Sequence, residues 1–281
     1  MSNLIEGSLD KENINYKLNK KSSYGDYLCL DQILNAQKYR SEHHNTEHLF
    51  ITIHQISELW LSIILMSLKE SLASIKSDDI GSFLIGSKRI FKSQDQLIAI
   101  WDVLSTMTPN DYLSIRDALG EASGFQSYQY RMVEFILGNK NKRLSDVFAY
   151  DPILHKNVLE TLKSPSLYDE VIMLLTRRGI LSSSITESRD WSTPYTSSKE
   201  VTMAWLEVYK TQEKWSDLYL LGETLIDLEY RFQKWRFCHF KSVERLIGHK
   251  SGTGGTRGVS YLKKALDLTF FPELYHIRTL L

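Results

Sequence analysis

Proline is scarce in this chain, with five in 281 residues, at 109, 152, 165, 194 and 272. Because proline ends or kinks a helix, its absence leaves long stretches where a helix can run uninterrupted. Cysteine is scarcer still. Cys29 and Cys238 stand far apart and outside any C-x-x-C pair, which excludes a disulfide framework and a zinc knuckle and fits a reducing cytoplasm. There is no excess charge, 34 basic against 34 acidic residues, so no broad grip on a phosphate backbone and no nucleic-acid partner is expected. Nor is there a long hydrophobic run. Leu59 to Leu68 already contains two serines and stops at Lys69, short of the roughly 20 apolar residues that span a bilayer. The opening residues lack the apolar core of a signal peptide. A cytoplasmic protein with no membrane partner is expected.

What is present is helical periodicity. Leu225, Leu228, Phe232, Trp235, His239, Val243 and Leu246 recur at spacings of three and four along one stripe, the mark of a helix with a buried face. Phe83, Ile90, Leu97 and Leu104 repeat every seven residues, as in a helix packed lengthwise on another. The class is all-α, a long-helix bundle. The spacing predicts helices near 28–38, 47–77, 81–105, 109–119, 124–137, 151–163, 166–178, 199–215 and 218–248, with shorter ones near 260–268 and 272–277. No repeat or linker divides the chain. The expected organisation is an N-terminal arm, 1–23, and one helical domain, 24–281, with a smaller helical insertion at about 150–200. The polar stretch 182–200 reads as a surface excursion.

Several residues could carry chemistry. His239 lies in the aromatic run "WRFCHF" on the buried stripe, as either a core histidine bonded to a carbonyl or a metal ligand. Phe50 and His54, four apart, share a helix face, as do Tyr112 and Arg116, where the guanidinium could pair with a surface carboxylate or grip a ligand's. "GTGGTRG" at 252–258 lacks the ending of a phosphate loop; it reads as a flexible loop whose backbone can approach a ligand, with Thr253 supplying a hydroxyl. "EHHNTEH" at 42–48 hints at non-haem iron, but a di-iron bundle needs two Glu-x-x-His pairs and only "ELYH" at 273–276 is present.

Taken in order, "YGDYLCLDQILNAQ", "HLFITIHQISELW", "SGFQSYQYR", "FILGNKN", "FAYDP", "WRFCHF", "GTGG" and "LTFFPELYHIRT" resemble the tryptophan 2,3-dioxygenases, haem enzymes that open the indole ring of L-tryptophan. The resemblance runs from about Tyr24 to Arg278. It implies the helical haem-dioxygenase fold, one haem b per subunit with iron on His239, and no covalent attachment, since C-x-x-C-H is missing. It places Trp101, Ser123, Gly124 and Tyr130 beside the haem. It puts Phe50 and His54 in the distal pocket, His54 near the indole N–H, Arg116 on the substrate carboxylate with Tyr112 beside it, and Thr253 at the ammonium group. It further implies a homotetramer in which Tyr24, Tyr27 and Leu28 enter a neighbouring subunit's pocket, with L-tryptophan and O2 as substrates. Two departures stand out. Asn45-Thr46-Glu47-His48 replaces the usual His-Asp-Glu lead-in, where Thr46 is expected to cap the helix as Asp does, and Ile115 replaces an aromatic residue. Both leave room for a relative recruited to oxygenate a tryptophan derivative.

Overall fold

Residues 23–187, 189–250, 252, 253, 255 and 258–281 are described by the computed structural model. The expected arm, 1–23, lies outside the described residues except for Ser23. Compactness divides the chain at Glu42. In the first unit, α1 (Tyr24–Tyr27) and α2 (Leu30–Leu34) replace the single helix expected at 28–38. The interruption is Cys29, whose φ of 53° is left-handed and cannot continue a helix. Ser23 caps α1 by accepting the Asp26 amide at 3.2 Å.

The unit from His43 to Leu281 is built on three long helices: α3 (His44–Lys76), α4 (Ile80–Leu104) and α11 (Ser216–Ile247). Between them in sequence come α5 (Pro109–Leu119), α6 (Tyr128–Leu137), α7 (Pro152–Lys163), α8 (Leu167–Arg177), α9 (Ser184–Glu187) and α10 (Lys199–Lys210), and the chain closes with α12 (Val259–Ala265) and α13 (Pro272–His276). No strand occurs among the described residues.

α3 and α4 form a hairpin. Asp78 takes a φ of 62° at the turn, and the Asp79 carboxylate caps α4 by accepting the Ser82 amide at 2.9 Å. α4 then packs along both α3 and α11. All four residues of its seven-residue repeat are buried, and Gln94 donates to the Leu228 carbonyl of α11 at 3.2 Å. One cluster runs from Leu61 through Leu175 and Leu228 to Ile277, so residues 150–200 share the bundle's core. By length and composition α3 could cross a membrane, and only 22% of its apolar window is buried within the chain.

The helix expected at 124–137 is two elements. Ser123 caps a 3-10 turn, Gly124–Gln126, and Ser127 starts α6 by accepting the Tyr130 amide at 3.2 Å. The excursion at 182–200 contains α9, and its far end is pinned by buried Glu273 of α13, which accepts from the Tyr168 and Tyr195 hydroxyls (2.9 and 2.6 Å) and the Ser198 amide (2.9 Å). Helix α3 begins at His44 without a side-chain cap. Thr46 therefore lies inside the helix, and the capping role expected of it is corrected.

Candidate active site

A small cluster of Ile53, Ile100, Leu104, Met107, Ile115 and Leu246 joins the ends of α3, α4, α5 and α11. The candidate residues stand on this base. Ile115, which stands in place of an aromatic residue, is 0% exposed and packs in that cluster beside Phe50 and Tyr112.

On α3, the Phe50 and His54 rings lie 4.2 Å apart, and Phe50 lies 6.2 Å from Tyr112 of α5. His54 Nδ1 is 2.7 Å from the Phe50 carbonyl. A carbonyl only accepts, so Nδ1 carries the proton. Burial lowers the His54 pKa, against weaker opposing effects of that carbonyl and of Glu58. The ring is therefore neutral, with Nε2 left as an acceptor. One turn beyond Tyr112, the charge of Arg116 opposes the upward shift that burial imposes on the Tyr112 phenol.

On α11 the stripe read from the sequence is buried at Leu225, Leu228 and Phe232 and again at Leu246, but only half-buried at Trp235, His239 and Val243. Trp101 of α4 stacks on the His239 ring with centroids 4.7 Å apart and planes within 11°. Trp235 lies 5.3 Å from His239, and Tyr130 lies 5.1 Å from Trp235. Burial, and then proximity to His54, push the His239 pKa down to about 4. No hydrogen bond to a described residue engages either ring nitrogen of His239. The core-histidine reading required a carbonyl partner, and none is present among the described residues.

These features fit a haem ligand. A neutral imidazole offers its lone pair, aromatic rings flank it, and part of its surface stays open although protein surrounds it. Trp101 Nε1 is also buried without a partner. Among the described residues no group of three His, Cys, Asp or Glu side chains could hold a bare metal ion. Iron resting on a single histidine must bring its other donors with it, as the porphyrin of haem does.

The glycine-rich loop joins the same region, since Thr253 Oγ1 donates to the Ala122 carbonyl at 2.8 Å, next to Ser123 and Gly124. Tyr24 and Tyr27 stand 74% and 85% exposed on the first unit, where Leu28 is half-buried. Sequence reasoning did not single out Glu134, Arg131 and Arg236, three buried charges beside Tyr130 and Trp235. The i,i+3 and i,i+4 spacing of Arg131 and Tyr130 to Glu134 was the available signal.

Fold and site together define an all-helical protein with a half-buried, neutral histidine among aromatic rings on α11 and a second neutral histidine beside Phe50 on α3. The tryptophan 2,3-dioxygenase family model matches residues 10–177 and 162–281. A tryptophan 2,3-dioxygenase of Bacillus thuringiensis (strain Al Hakam) is 47% identical over 269 residues, 96% of each chain. That of Polaromonas sp. is 50% identical over 257 residues, 92% of this chain and 87% of its own. That of Shewanella woodyi is 47% identical over 269 residues, 96% and 94%. This chain belongs to the tryptophan 2,3-dioxygenase family.

Proposed function

We propose that this chain is a haem-dependent dioxygenase that inserts both atoms of O2 across the indole C2–C3 bond of L-tryptophan, giving N-formylkynurenine, the first step of the kynurenine route of tryptophan degradation. The observation that carries the reading is the pair of neutral imidazoles, His239 on α11 ringed by Trp101 and Trp235 and His54 on α3 beside Phe50, with His54 near enough to lower the His239 pKa.

Haem b, one per subunit, would be held through its iron by His239 and would supply the electronic route by which triplet dioxygen reacts with closed-shell indole. The chain's own residues hold and orient the substrate. His54 Nε2, unprotonated because Nδ1 donates to Phe50, accepts a hydrogen bond from the indole N–H. His54 orients and does not deprotonate: indole N–H is a very weak acid, and burial makes this imidazole a weaker base than usual. Arg116 grips the substrate carboxylate through its two-pronged guanidinium, with Tyr112 beside it. Thr253 Oγ1 directs its hydrogen to the Ala122 carbonyl, which leaves its lone pairs to accept from the substrate ammonium. Phe50 would flank the indole, and Trp101, Ser123, Gly124 and Tyr130 would lie against the porphyrin.

The assembly in this reading is a cytoplasmic homotetramer. Two observations support it: the exposed rings of Tyr24 and Tyr27, suited to enter a neighbouring subunit's pocket with Leu28, and Ile56, Leu59 and Met66 of α3, which are 40%, 55% and 50% exposed. Apolar surface of this kind marks a protein interface.

The deciding experiment reduces haem-loaded protein without air, mixes it with L-tryptophan and O2, and records product mass and oxygen consumed. A product heavier by two oxygen atoms with one O2 used is expected. One added oxygen atom, or no turnover, would overturn the reading.

A further inference from the structure

The buried charges that this chemistry leaves unused gather around one carboxylate. Glu134 of α6 is 3% exposed. Its Oε1 accepts from the Tyr130 hydroxyl at 3.1 Å, Arg236 Nη2 at 3.0 Å and Asn139 Nδ2 at 3.2 Å, and its Oε2 accepts from Arg131 Nη1. Both arginines are 3% exposed. Their Nε atoms are buried without partners, so Glu134 supplies the carboxylate contact for both.

Three of these four partners lead to the site. The Arg131 guanidinium sits 5.3 Å from the Phe125 ring, in the turn that carries Gly124. Tyr130 leads through Trp235, 5.1 Å away, to His239, a further 5.3 Å. Arg236 is one helical turn before His239, held between Phe232 and Phe270 at 4.7 and 5.0 Å and donating to the Leu268 carbonyl at 3.0 Å. Three elements that would touch a bound porphyrin thus meet at one side chain.

We propose that Glu134 is the positioning residue of the haem pocket, holding the 123–126 turn, the Tyr130 ring and the His239 helix in register. The inference rests on the haem reading above. It differs from a general contribution to stability because its effect passes to the geometry of the iron–histidine bond.

The test uses the full chain loaded with haem. Two signals are read: the rate of haem loss to excess apomyoglobin, and the iron–histidine stretching band in the resonance Raman spectrum of the ferrous protein. Glu134→Gln keeps the shape and removes the charge. Tyr130→Phe removes only a hydroxyl, and circular dichroism checks that its fold is retained. Glu134→Gln is expected to lose haem about 10- to 100-fold faster, the range for partners that orient a metal ligand, with a displaced or broadened band. Tyr130→Phe displaces the band in the same direction by less. If Glu134→Gln does not fold, Asn139→Ala, which removes a Glu134 contact at a residue outside the haem site, decides by the same two signals. Wild-type rates and bands in the folded variants overturn the inference while leaving the haem reading intact. A wild-type protein that takes up no haem overturns both.

Discussion

His54 Nδ1 donates to the carbonyl of Phe50 one turn back along α3, at 2.7 Å. That bond fixes the tautomer of the ring and makes Nε2 an acceptor. His54→Ala is therefore expected to lower kcat by less than about 100-fold, the lower end of the range for lost acid–base catalysis. It should also narrow the preference for L-tryptophan over 1-methyltryptophan, which has no indole N–H to donate. Steady-state kinetics with both substrates checks this, and a loss well above that bound would restore a base role.

Arg116 and the substrate carboxylate form a charge pair shielded from water in the proposed complex. Leaving one such charge unpartnered costs on the order of 2 to 5 kcal/mol, equivalent to tens to a few thousandfold. Tryptamine, without the carboxylate, is expected to show kcat/KM reduced by that factor. Comparable values for tryptamine and L-tryptophan would remove Arg116 from the role.

His239→Ala is expected to purify helical but without stoichiometric haem, since the position is only half-buried and its ring is not hydrogen-bonded to described residues. Pyridine haemochrome absorbance against protein concentration measures the ratio. Full loading would require another ligand.

Glu229 of α11 accepts the Phe270 and Phe271 amides at 2.8 and 3.0 Å, yet burial outweighs those bonds and raises its pKa from 4.5 to about 6. A carboxyl whose folded pKa is raised favours the fold when protonated. Its contribution is complete below pH 4.5 and is lost as pH rises through 6, a change of about 2 kcal/mol. In urea melts, wild-type stability relative to Glu229→Gln should fall by that order between pH 4.5 and 6.5, then level off. A flat difference would mean that Glu229 titrates alike in the folded and unfolded chains.

The long helices were legible because packing repeats along them. Phe83, Ile90, Leu97 and Leu104 show the period in the sequence and the burial in the structure. The breaks were harder to see. Cys29 adopts a left-handed conformation that favours Gly or Asn, and Ser127 opens a second helix three residues after Gly124 within a stretch that composition alone joins. The expected helix at 199–215 stops at Lys210. His239 was visible on its stripe, but whether its nitrogens had partners depends on which helices face α11. The bond from Arg236 to Glu134 was invisible for the same reason: the two lie 102 residues apart, and no periodicity encodes a bond between distant helices.

The outward side of α3 bears on how the protein must be handled. In the proposed homotetramer, a chain that shows Ile56, Leu59 and Met66 to solvent would be protected by its neighbours only while copies remain associated, and association weakens by mass action on dilution. Dilute stocks should lose soluble protein faster than concentrated ones, and surfaces or detergents that compete for that helix should shorten the protein's life in the tube.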